Sequence, residues 1–220
     1  MPAGYGWPSV AAADLQRLAR EFGETVQRIL NTTVCRDVRI SAVVYEPGMV
    51  LVGYGLGKSS LRTARFPVLS RRCWLDIGYR LRLDEAGRHL AVAASFMSVF
   101  AADDDKTCLC RFDYERGKGE YPEAHLQVYG ESGALASWSG TPKRRQLERL
   151  HFAVGGRRYR PTLEDVVEFL ITEGLAVPRD EGWREVLRTE REAFQRIQLR
   201  AAIRRDPETA REVLKDLGIS

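Results

Sequence analysis

The sequence predicts an α+β fold, and three observations carry that reading. Period-two alternation runs through Trp74–Leu83, Thr107–Arg116 and Ala124–Tyr129, the mark of strands with one buried face. These runs follow one another across short polar turns with no helix between them, so the sheet is an antiparallel meander. Helical spacing of apolar residues is found outside that meander, in an N-terminal helix and a C-terminal helical segment.

In chain order, Met1–Pro8 is rich in Gly, Pro and aromatics and reads as a tail. Ser9 caps a helix to about Asn31, with Leu15, Leu18, Phe22, Val26, Ile29 and Leu30 as its stripe. Val34–Tyr45 is predicted as a strand, Pro47-Gly48 as a turn and Met49–Tyr54 as its partner. Gly53–Ser59 has the flavour of a phosphate-binding loop, but Val52 stands where the first glycine is needed and Pro67 ends any following helix. It reads instead as a glycine-rich loop before the basic linker Arg62–Arg72. Trp74–Leu83 and His89–Ala101 form the next two strands, the second apolar on both faces as a central strand should be. Asp103-Asp104-Asp105 is a solvated turn before the strand pair Thr107–Arg116 and Ala124–Tyr129.

Thr141-Pro142 starts a short basic helix to Arg149, and His151–Arg160 reads as a hairpin about Gly155-Gly156 with Phe152 opposite Tyr159. Pro161–Asp165 opens a helix with capping-box chemistry, striped by Leu163, Val166, Val167, Leu170 and Ile171 and ended by Gly174. A longer helix, Glu181–Arg205, and a last short one capped by Asp206-Pro207 complete the chain. The predicted organisation is therefore an antiparallel-sheet domain at 1–140, a basic helix and hairpin at 141–161, and a helical subdomain at 162–220.

Composition narrows the function classes. No apolar run spans a membrane and Met1–Val10 holds no signal-type segment, which sets an expectation of a cytosolic protein without a membrane partner. The four cysteines, Cys35, Cys73, Cys108 and Cys110, lack zinc-type spacing and read as reduced core thiols, so no metal and no cofactor is expected. The net charge is +4, yet Lys143–Arg160 alone carries +6 and leaves −2 for the rest of the chain. Its basic residues, Lys143, Arg144, Arg145, Arg149, Arg157, Arg158 and Arg160, together with His151, are the candidate nucleic-acid contacts.

The alternation of the last strand pair places Arg111, Asp113, His125, Gln127 and Tyr129 on one open face. A guanidinium, a carboxylate, an imidazole and a phenol on one rigid surface can hold a phosphate and move a proton. Of the three histidines, His125 is the catalytic candidate, with Asp113 to orient it, Arg111 at the phosphate and Tyr129 as a further proton carrier. Arg111-Phe112-Asp113, then Pro122 and His125, followed by Leu163-Glu164-Asp165 at a helix start, resembles the signature of TumE-type toxins of bacterial toxin–antitoxin systems. The resemblance rests on short motifs in part of the chain, and it implies metal-independent ribonuclease activity.

The functional expectation is RNA binding, extended to cleavage if the face assembles as drawn. Two other readings stand beside it. Residues 181–218, with Trp183, Phe194 and Ile197, would dock a protein partner or a second copy without catalysis. The basic 143–160 segment would bind DNA through a short helix and a wing.

Overall fold

The computed structural model describes residues 12–46, 48–57, 61–70, 73–84, 89–131, 147, 150–155 and 159–219, and the fold is α+β. The first element is α1 (Ala12–Thr33). It buries Leu15, Ala19, Val26, Ile29 and Leu30, and Phe22 meets Tyr79 edge-on at 5.1 Å between ring centres. The Ser9 cap expected for it lies outside the described residues.

The strands are β1 (Ile40–Glu46), β2 (Met49–Tyr54), β3 (Phe66–Pro67), β4 (Trp74–Leu83), β5 (Leu90–Phe100), β6 (Cys108–Glu115), β7 (Ala124–Val128) and β8 (Phe152–Ala153). They form one antiparallel sheet in the order β1-β2-β4-β5-β6-β7-β8, with β3 paired to β4 beside β2. The first strand starts later than predicted. Val34 and Cys35 both donate their N–H to the Leu30 carbonyl, and the Asn31 side chain brackets the backbone of Val38 at 2.8 and 3.0 Å. Backbone groups committed to α1 cannot enter a ladder, so pairing begins at Ile40.

The two faces of the sheet differ. Leu75, Ile77, Tyr79, Leu81, Met97, Val99, Cys110, Tyr114 and Ala124 share the core face and are buried. There the cysteine thiols behave as apolar groups, with burial pushing Cys35 and Cys110 up to about 12 and Cys73 up to about 11. The helix α2 (Leu163–Thr172) belongs with this core, since Phe169 meets Phe112 edge-on at 5.7 Å. Thr162 and Asp165 close its capping box.

Two expectations change here. The chain divides into compact units 1–179 and 180–220, so the helix placed at the head of a C-terminal subdomain joins the sheet unit instead. Its apolar stripe is buried, which a separate short helix could not achieve. Among the described residues, the two arms of the hairpin predicted at 151–160 do not pair with each other. Phe152 pairs with Leu126 and Ala153 with His125, so β8 extends the sheet at the edge of β7. The second unit holds α3 (Trp183–Arg205) and α4 (Pro207–Asp216), joined at Asp206, whose carboxylate accepts the Thr209 N–H at 3.1 Å.

Candidate active-site cleft

The second face of the sheet is polar, and its strand register sets out the residues in rows. Asp76, Ser98, Arg111 and Gln127 lie side by side across β4, β5, β6 and β7. The next row is Gly53, Gly78, Phe96, Asp113 and His125, and the one after it Leu51, Arg80, Ala94 and Glu115. A cleft of about 780 Å³ lies over these rows. Its size suits a small molecule or a few linked groups.

One end of the cleft concentrates the chemistry. The Arg111 Nε donates to Asp113 Oδ1 at 2.8 Å, and Asp113 Oδ2 lies 3.8 Å from His125 Nε2. The other nitrogen of that ring, Nδ1, sits 2.8 Å from the Pro122 carbonyl, which can only accept, so Nδ1 carries a proton and donates. That leaves Nε2 turned to the carboxylate. Burial pushes the Asp113 carboxyl above the ordinary carboxylate range, against the pull of Arg111 and His125. Carbonyl and carboxylate thus hold the imidazole from two sides, the first by a hydrogen bond and the second by charge across 3.8 Å.

Three rings close this end. Tyr121 stacks flat on His151, 4.4 Å between ring centres and 4° between planes. Both meet His125 edge-on, at 4.8 and 4.7 Å. Desolvation lowers the His151 pKa from its ordinary value, and a positive charge on His125 lowers it further, while Asp113 works the other way. A neutral imidazole facing a cleft is a proton acceptor at neutral pH. On the other side of the site the Arg111 guanidinium lies 5.1 Å above the Phe96 ring, which fixes it over the floor.

The expected cluster is therefore assembled in part. Arg111, Asp113 and His125 come together on one face, as the alternation predicts. His125 is not on an open face, however: it is 3% exposed, because Tyr121 and His151 cover it. Its place against solvent is taken by His151, which the sequence assigned to phosphate contact in a basic hairpin. Tyr129 continues the line of β7 past its end, tied by its N–H to Leu109 at 2.9 Å, and does not line the cleft.

Arg160 is not a surface grip on a nucleic-acid backbone. It is half-buried, its guanidinium 5.9 Å from the Tyr114 ring centre on the core side, and burial lowers its pKa. Lys143, Arg144, Arg145, Arg149, Arg157 and Arg158 lie outside the described residues. Asp103 and Asp105, in the acidic turn, are both bonded by Arg65.

Sequence reasoning missed Tyr121, Phe96 and Arg80. Tyr121 had a usable signal: it is an aromatic residue beside Pro122, in the loop that returns the chain to His125, close in sequence to that strand's first residues. Phe96 had none, since it reads as one more apolar residue of a central strand. Asp76 is a further missed residue. Its Oδ1 is buried with no hydrogen-bond partner among the described residues, and burial raises its pKa against a hydrogen bond from Thr63. No protein-family model, curated protein or solved structure matches this chain.

Proposed function

We propose that the cleft cleaves RNA through the 2′-hydroxyl without a metal ion. The carrying observation is the pair of imidazoles 4.7 Å apart, in a cleft also lined by Arg111 and Asp113. His151 takes the proton of the 2′-hydroxyl as its oxygen attacks phosphorus. Arg111, beside Gln127 in the same row, holds the non-bridging oxygens. Asp113, its carboxyl held by burial above the ordinary carboxylate range, returns a proton to the departing 5′-oxygen, leaving a 2′,3′-cyclic phosphate and a free 5′-hydroxyl. The segment carrying Arg111, Asp113 and His125 is also the one that resembles the TumE-type toxins.

Labelled single-stranded RNA incubated with the full chain in EDTA should yield cyclic-phosphate ends. His151→Ala and Arg111→Ala should each lower the rate by roughly 100-fold or more, the usual size of one acid–base or phosphate-holding group. Intact RNA after long incubation with folded protein would remove the catalytic reading.

A second reading is favoured by a separate observation. The unit 180–220 exposes Ile197, Leu199, Ile203, Val213, Leu214, Leu217 and Ile219. Apolar side chains at this density mark a contact surface, and we read it as a site of self-association.

A further inference from the structure

The cleft does not stop at the imidazoles. It continues over the β6, β5, β4 and β2 strands to Leu51, Leu56, Leu61, Arg62 and Arg80. Five adjacent strands, β2, β4, β5, β6 and β7, therefore lie beneath it. At about 4.8 Å between neighbouring strands, the trough is roughly 19 Å long. The Tyr121–His151 stack stands at one end, and the chain at Leu61–Thr63 stands at the other.

The approach of that segment is built into the strand. A Cβ at Gly53 would lie 2.5 Å from the Thr63 side chain and 2.8 Å from the Ile77 carbonyl. Only glycine lets the 61–63 segment come this close to β2.

The interior of the trough changes character along its length. The imidazole end holds Arg111, with Gln127 beside it in the register. The middle is the Phe96 ring. Two further guanidinium groups line the trough: Arg80 on β4, which reaches to within 3.7 Å of Glu115 on β6, and Arg62 in the segment beside β2. Three guanidinium groups spread over one cleft match more than one phosphate of a strand, not a single anion.

We propose that the trough binds a single-stranded RNA segment of about three nucleotides lying across the strands, just below the roughly 4–16 nucleotides that dedicated single-strand binding folds cover. The cut phosphate lies at Arg111 and a neighbouring phosphate at Arg62 and Arg80. This rests on the reading of the cleft as an RNA site. It adds that the substrate is unpaired and that its grip extends one phosphate beyond the cut. In-line attack by the 2′-oxygen needs a backbone geometry that a stacked duplex does not adopt, so the strand in the trough is unpaired.

The test uses the full chain and fluorescein-labelled 2′-O-methyl oligonucleotides, which lack the attacking hydroxyl, at low salt in EDTA. Affinity read by anisotropy should climb from one to three nucleotides and then level off. Arg80→Ala and Arg62→Ala should each weaken the trimer roughly tenfold and bring it close to the dimer, since phosphate contacts dominate such binding. Arg80→Lys should restore most of the loss. Affinity that rises evenly to six nucleotides, a trimer indifferent to both alanine variants, or equal competition by a duplex would overturn the proposal. Because these oligonucleotides cannot be cut, trimer binding without cleavage of the matching ribonucleotide trimer would support this inference and sink the catalytic one.

Discussion

At the scale of single residues, the assignment of His151 as the proton acceptor turns on charge. Its pKa is lowered first by desolvation, then by His125, and raised by Asp113. The His151 ring should therefore titrate below the ordinary imidazole value of about 6.5. His125→Gln removes a positive neighbour and should move that titration up. Asp113→Asn removes a negative neighbour and should move it down. Proton NMR of the imidazole Cε1–H follows both shifts without any assay of activity. A His151 titration unmoved by either change would mean that the three groups do not share a field, and the proton route would fail with it. The same shift has a sign for stability. A folded-state pKa below the unfolded one means that the native chain binds fewer protons, so this group's contribution is lost as pH falls through the ordinary imidazole range.

At the scale of elements, the floor of the cleft depends on Gly78 under Phe96. A Cβ at position 78 would lie 2.4 and 2.8 Å from two atoms of that ring. Gly78→Ala should cost about 1–3 kcal/mol in denaturant unfolding, the usual cost of overpacking. Phe96→Ala added to it should recover part of the loss, giving a non-additive cycle. Full additivity would show that the ring does not rest on the glycine.

The same elements show what a sequence can and cannot carry. Alternation places β4 at Trp74–Leu83 and puts Asp113 and His125 on one face, because a one-residue slip would turn every apolar side chain of the strand to the wrong face. The Gly155-Gly156 signal is local, while the partner of Phe152 is chosen by the open edge of β7, far away in the chain. Val34–Arg39 has a strand's apolar content, yet Asn31 claims the backbone of Val38 first. The burial of His125 under Tyr121 and His151 is likewise a meeting of three separate segments, and no periodicity within one of them records it.

At the scale of the whole molecule, the charge of the unit 180–220 is divided between its two helices. The last ten residues of α3 carry Arg196, Arg200, Arg204 and Arg205 and no acid. The following segment, 206–216, carries Asp206, Glu208, Glu212 and Asp216 against Arg211 and Lys215. Exposed Leu199 and Ile203 lie four apart on α3, while Val213, Leu214 and Leu217 form one stripe along α4. A second copy turned antiparallel sets the basic half of one α3 against the acidic α4 of the other and covers both stripes. Seven side chains exposed to this degree present on the order of 700 Å² per chain, close to the roughly 800 Å² per partner of a standard interface. Sedimentation of the full chain should then show a mass that rises with concentration and falls with added salt. Leu214→Glu with Leu217→Glu should return it to a monomer. These positions lie outside the cleft, so RNA cleavage should persist in the monomeric variant. A chain that stays monomeric at every concentration would rule out a second copy on this surface.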